Sequence, residues 1–261
     1  MKIALMDSGI GLLAAAAALR GLRPDADLVL SSDPDSMPWG PRTPQDVTEH
    51  ALACVNAAAA ERPDALIVAC NTASVHALRT LRQHLEPEIP VIGTVPAVKP
   101  AAAAGGPVAI WATPATTGSD YQRGLIAEFA DGVRVTEVPC PGLADALQNA
   151  DDTAIDAAIA AAAQRTPGDV RSVVLGCTHY ELVTDRIRAA VQSPGTPEIV
   201  MYGSADAVAA QALRRIGAAP APDAEPSGSL TVIHGGRLEA LPAAALAYAE
   251  GRALAGAAAT H

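Results

Sequence analysis

Two cysteines in this chain stand where a thiol can do chemistry. Cys70 follows the aliphatic run Ala65–Ala69 and Cys177 follows another, and each precedes a helical stretch that ends in arginines. A thiol at the end of a strand and the start of a helix lies near backbone N–H groups, which favour the thiolate and bind anions. If two such thiols face one cleft, one can remove a proton from one side of a carbon and the other can return a proton from the opposite side. The competing reading is that both are buried structural cysteines, the usual place of a free thiol. Their neighbours favour chemistry. Asp7 and His179 are titratable, and Ser8, Asn71, Thr72 and Thr178 are short donors suited to a carboxylate or an ammonium. Asp7 would also suit a helix cap, and His179 a satisfied buried histidine.

The elements that must hold these residues alternate. Ile3–Met6 is followed by the helical stretch Leu12–Leu22, Leu28–Ser31 by Pro44–Ala60, and Ala65–Ala69 by Ser74–Leu85, before the short run Val91–Val95. Short apolar strands joined through helices predict parallel α/β structure. Thr43-Pro44-Gln45-Asp46 marks a helix start with a hydroxyl cap, a first-turn proline and an acid.

The pattern then repeats at the Cys70-to-Cys177 spacing of 107 residues. That offset places Ile3–Met6 on Ile110–Thr113, Asp33-Pro34 on Cys140-Pro141, and Pro87 and Pro90 on Pro194 and Pro197. The agreement predicts two copies of one α/β unit, with a boundary near the Ala/Gly-rich stretch Ala101–Gly106. Beyond the second copy, the chain reads as a helix over Ala205–Arg215, a loop over Ala218–Ser229, a strand over Leu230–Ile233 and an Ala-rich helix from about Leu238, fraying after Leu254. The domain assignment is residues 1–97 with 206–261, and 98–205.

Composition limits the partners. The 261 residues carry 18 Lys+Arg against 28 Asp+Glu, a formal charge of −10, which argues against nucleic acid and anionic membranes. Half of the residues are apolar, which excludes a disordered chain. The 4 cysteines show no CxxC pair and no metal-ligand spacing, which predicts a reducing compartment and no metal. Asp7 interrupts the apolar start, so the first residues read as a buried strand and helix of a soluble, cytoplasmic protein rather than a signal peptide. Cys54 reads as packing, Cys140 as structural or cleft-lining, and His76 as too far from Cys70 for a shared metal.

Taken together, Asp7-Ser8-Gly9-Ile10-Gly11, Pro38-Trp39-Gly40, Ala69-Cys70-Asn71-Thr72-Ala73, Thr113 with Thr116 and Ser119, Cys140-Pro141 and Gly176-Cys177-Thr178-His179-Tyr180 resemble the ordered motifs of the cofactor-independent glutamate racemases. The resemblance spans residues 3 to about 204. It implies two similar α/β domains, each a mostly parallel sheet flanked by helices, with the active site in the cleft between them. It also implies direct epimerisation at Cα with no pyridoxal phosphate or metal, a supply of D-glutamate for peptidoglycan, and a homodimer in many members. Carried over by motif, Cys70 would handle the D-enantiomer with Asp7 beside it, and Cys177 the L-enantiomer with His179 beside it. Asp7, Ser8, Trp39, Gly40, Asn71, Thr72, Thr116, Thr178 and His179 would contact the amino acid.

Four positions depart from the family pattern. Trp39 stands for Tyr, Leu12 for Gly, Glu181 for Pro and Gln148 for Glu. The expected consequences are a reshaped pocket at Trp39, an added charge beside Cys177 from Glu181, and a neutral partner for His179 if Gln148 lies near it. A relative acting on aspartate or another amino acid, and a non-catalytic amino-acid-binding descendant, stay open on the sequence.

Overall fold

The computed structural model describes residues 1–258. Its N-terminal part runs β1 (Lys2–Asp7), α1 (Leu13–Leu22), β2 (Asp27–Ser32), α2 (Pro44–Ala59), β3 (Ala65–Val68), α3 (Asn71–His76), α4 (Leu78–Leu85) and β4 (Val91–Gly93). Then follow α5 (Val98–Ala103), β5 (Val108–Ala112), α6 (Asp120–Phe129), β6 (Val135–Pro139), α7 (Leu143–Gln148), α8 (Asp152–Ala163), β7 (Ser172–Leu175), a 3-10 segment Thr178–Val183, α9 (Thr184–Val191) and β8 (Val200–Tyr202). The chain ends with α10 (Ala205–Arg215), β9 (Leu230–His234), β10 (Arg237–Glu239) and α11 (Ala249–Ala258).

Two compact units result. Met1–Thr94 joins the chain from Ala205 onward in one, and Val95–Ser204 forms the other. The first holds a sheet of order β10-β9-β2-β1-β3-β4, the second a sheet of order β6-β5-β7-β8. The ladders are parallel except for the β9–β10 pair. Ile3, Ala4, Leu5 and Met6 are fully buried in β1, as a central parallel strand covered on both faces requires.

The repeat is visible in three dimensions. At the 107-residue offset, α1 falls on α6, β3 on β7, and α3 on the 3-10 segment Thr178–Val183, each with matching ends. The strand orders β2-β1-β3-β4 and β6-β5-β7-β8 are the same order under that offset. The expected helix cap also forms: Thr43 Oγ1 accepts from the Asp46 N–H at 3.2 Å.

Two expectations are corrected. Ala101–Gly106 is no linker, because α5 covers its first half and fully buried Ala101 packs with Val98 in the second unit's core. The helix expected from about Leu238 starts at Ala249 instead. Gly235 and Gly236 have φ of 52° and 78°, the two-residue turn that pairs Arg237 with His234 and directs the chain into a hairpin. α11 runs to Ala258, and the remainder of the tail expected to fray lies outside the described residues.

Candidate active site

Each thiol is carried by a turn at the carboxyl end of its sheet, where parallel α/β folds place their sites. Cys70 follows β3 with φ −136° and ψ 120°, and Cys177 follows β7 with φ −138° and ψ 133°. Two copies of one backbone turn thus present two thiols. Each turn is pinned to the neighbouring strand: the Ala69 N–H donates to the Met6 carbonyl at 2.8 Å and the Gly176 N–H to the Trp111 carbonyl at 2.7 Å. A Cβ at Gly176 would lie 2.8 Å from the Trp111 carbonyl oxygen, so this close approach requires glycine.

The surroundings of the thiols differ. Around Cys70, Asp7, Ser8 and Asn71 are buried, and Asp7 comes from β1, the strand paired with β3. Asp7 Oδ2 accepts from the Gly9 N–H at 3.3 Å, and Ser8 Oγ lies 3.5 Å from Asp7 Oδ1. Asp7 therefore organises the turn that follows β1; Gly9, not Asp7, is the cap residue of the next helical segment. Burial pushes the Cys70 thiol well above its ordinary range, and the Asp7 charge and hydrogen bond add to this, against a smaller opposing effect of the Ala73 and Ser8 N–H groups. The resting form of Cys70 is the protonated thiol.

Cys177 is partly exposed, with the buried His179 Nδ1 4.0 Å from its sulfur. His179 Nε2 lies 3.1 Å from Gln148 Oε1. A proton on Nε2 would donate to this amide oxygen, and that tautomer leaves the Nδ1 lone pair to accept from the thiol. Thr178 is buried beside this pair, and Thr116 Oγ1 pairs with Thr113 Oγ1 at 3.3 Å in the turn after β5, the strand next to β7. Thr72 and Gly40 are half-buried in the first unit.

Two of the four departures have partners within their own unit. Trp39 is buried in the first unit's core, and its indole N–H donates to Ser36 Oγ at 2.7 Å, so this donor already has an acceptor within its own loop. Glu181 Oε1 accepts from the Ser204 N–H at 2.8 Å and the Ser204 hydroxyl at 2.7 Å. Sequence reading also missed a clamp on the Trp39 loop: His50 Nδ1 lies 2.8 Å from Asp33 Oδ2, and Arg42 bonds Asp46 at 2.6 Å and the Ser36 carbonyl at 2.8 Å. No spacing rule links Asp33 to a helix residue 17 positions on.

Cys54 and Cys140 are structural thiols. Both are buried, and burial pushes each up to about 12. The folded state therefore keeps protons that an unfolded chain releases above about pH 8.5. Their contribution to stability is full below that pH and declines as pH rises toward the folded values, by up to about 1.4 kcal/mol per pH unit per thiol. Urea unfolding at pH 8, 9.5 and 10.5 should show this decline, with a shallower slope in Cys54→Ala. An equal slope in that variant would assign the decline to other groups.

Among the described residues no helix is long and apolar enough to cross a membrane, and no group of three or more His, Cys, Asp and Glu could hold a metal ion. The sequence model of the Asp/Glu/Hydantoin racemase family matches residues 12–217. A glutamate racemase from Roseiflexus sp. is 39% identical over 195 residues, 72% of this chain and 70% of the relative. One from Herpetosiphon aurantiacus is 31% identical over 222 residues, 83% of this chain and 85% of the relative. The crystal structure of Escherichia coli glutamate racemase, in complex with L-glutamate and the activator UDP-MurNAc-Ala, matches with a TM-score of 0.77 at 26% identity, covering 94% of this chain and 91% of that one. The paired thiol turns thus sit in a chain matched over most of its length, and that chain belongs to the Asp/Glu/Hydantoin racemase family.

Proposed function

We propose that this enzyme interconverts L- and D-glutamate, with Cys177 as the base toward the L-enantiomer and Cys70 as the base toward the D-enantiomer. The observation that carries this reading is the pair of thiols on equivalent turns with near-identical backbone angles. The relatives named above are glutamate racemases, which supports glutamate as the substrate. In the L-to-D direction Cys177 takes the Cα proton as His179 Nδ1 draws off the thiol proton, and the Cys70 thiol protonates the carbanion from the other face. In reverse, Asp7 serves Cys70 as His179 serves Cys177. Ser8, Gly40, Asn71, Thr72, Thr116 and Thr178 bind the ammonium and carboxylates, aiming donors at the charge that develops when Cα loses its proton. On this reading the reaction uses neither pyridoxal phosphate nor a metal, and we assign the enzyme to the cytoplasm as a source of D-glutamate for peptidoglycan.

Circular dichroism of L-glutamate incubated with the purified protein tests this directly. The signal should decay to zero, with chelator and carbonyl reagents having no effect. Loss of signal with L-aspartate but not with L-glutamate would move the assignment to the other acid.

The Gln148–His179 contact yields a further expected result. A carboxylate in place of the amide would hold the imidazolium more strongly, easing its formation when Cys177 gives up its proton. Gln148→Glu should raise kcat/KM, by no more than the roughly 10- to 150-fold equivalent of a charged hydrogen bond worth about 1.5–3 kcal/mol. The gain must be equal in both directions, because enantiomers have the same free energy. A kcat/KM unchanged or lowered by this substitution would show that the amide already serves as well as a carboxylate.

A further inference from the structure

The residue four positions past each cysteine ties its turn to the strand end where the chain leaves that unit. In the first unit Ser74 Oγ accepts from the Thr94 N–H at 2.9 Å and lies 3.3 Å from the Val68 carbonyl, which the fully buried Thr94 hydroxyl also reaches at 2.7 Å. In the second, Glu181 takes both the N–H and the hydroxyl of buried Ser204 on one carboxylate oxygen, at 2.8 and 2.7 Å. Thr94 follows β4 and Ser204 lies two residues past β8, and these two residues end their units' segments. Ser74 and Glu181 are equivalent positions of the repeat, yet one is a hydroxyl and the other a carboxylate. Their partners are not equivalent, since the offset sets Thr94 against Met201 and Ser204 against Ala97, so each unit makes the attachment with its own residues.

We propose that Ser74 and Glu181 are the positioning residues of the two thiols. Each thiol turn follows one strand and is held by backbone to a second strand, β1 for Cys70 and β5 for Cys177. The side chains of Ser74 and Glu181 add the third point of attachment, at β4 and β8. Three attachments fix a short turn against rotation about its own strand, the movement that would swing the sulfur away from a substrate carbon. Gly203 belongs to the same device: a methyl group there would collide with the Glu181 carboxylate. This proposal rests on the assignment of Cys70 and Cys177 as the two bases.

Primary isotope effects with Cα-deuterated glutamate separate positioning from general support. Glu181→Ala should lower kcat/KM by about 10-fold or more, equally in both directions. The isotope effect on kcat/KM should grow with deuterated L-glutamate, because abstraction by Cys177 becomes slower than the return of a proton by Cys70. With deuterated D-glutamate it should shrink, because the slow step is then the return from Cys177. Ser74→Ala should give the mirror image. Glu181→Gln, whose amide oxygen can still accept both bonds, should restore the parental pattern, and Gly203→Ala should reproduce that of Glu181→Ala. Isotope effects that move in the same direction for both enantiomers, or stay at parental values while kcat/KM falls, would overturn the positioning role. Absence of glutamate racemisation in the parent protein would overturn the functional reading itself, and this proposal with it.

Discussion

Cys70→Ser and Cys177→Ser will each lose at least about 1,000-fold in glutamate racemisation, within the span that a positioned general base contributes. A serine hydroxyl fills nearly the same space as the thiol, so each variant should remain folded, but it is far less acidic than a thiol of ordinary pKa about 8.5. The loss should appear in both directions for either variant, because in the proposed mechanism each thiol is the abstracting base one way and the donor the other. In D₂O the parent enzyme should place solvent deuterium chiefly in the antipode during early turnover. Equal early labelling of recovered substrate and product, or a single-thiol variant within about 10-fold of the parent, would point to one base.

The two thiol environments suit this division of labour without being copies. Cys70 is buried beside Asp7 and rests as the protonated thiol, the form that donates. Cys177 is partly exposed and has an imidazole nitrogen 4.0 Å from its sulfur. The offset that aligns the thiols sets Asp7 against Pro114 and His179 against Thr72. The two titratable neighbours therefore occupy non-equivalent places, Asp7 on β1, the strand paired with β3, and His179 within the thiol turn itself.

Much of this was legible in the sequence because parallel strands write long apolar runs and their carboxyl ends collect polar residues. Both thiol turns, Asp7, Ser8, His179 and the repeat follow from that pattern. The Gly235-Gly236 hairpin was hidden by an Ala-rich composition downstream that suits a helix equally well. The Ala/Gly content of Ala101–Gly106 suggested a joint, but small residues also allow close packing, and α5 uses them that way. Contacts between distant side chains leave no periodic trace. The Glu181–Ser204 anchor and the His50–Asp33 clamp were invisible for that reason.

Trp39→Ala and Trp111→Ala should each destabilise the protein by about 3–5 kcal/mol, a large part of the roughly 5–15 kcal/mol that holds a domain folded. These are the chain's only tryptophans, one in each unit, and both are almost fully buried. Trp39 packs with Val47, Ala51 and Cys54 and donates to Ser36 Oγ at 2.7 Å. Trp111 lies in β5 and donates to Thr166 Oγ1 at 2.9 Å. The repeat sets Trp111 of β5 against Ala4 of β1, equivalent strand positions filled by side chains of opposite size, whereas Trp39 sits in a loop and its counterpart Ala146 in α7. No collapse of one unit can supply the missing ring of the other. Urea unfolding followed by circular dichroism, with the remaining tryptophan's fluorescence reporting its own unit, measures both losses. The variants should then part company in kinetics. Trp39 anchors the loop carrying Gly40, so its truncation should raise KM for glutamate at temperatures where the protein is still folded, whereas Trp111→Ala at comparable stability should leave KM nearer the parental value. A loss below about 1 kcal/mol in either variant would mean that its core closes over the cavity. An equal rise in KM for both would separate Trp39 from the substrate loop.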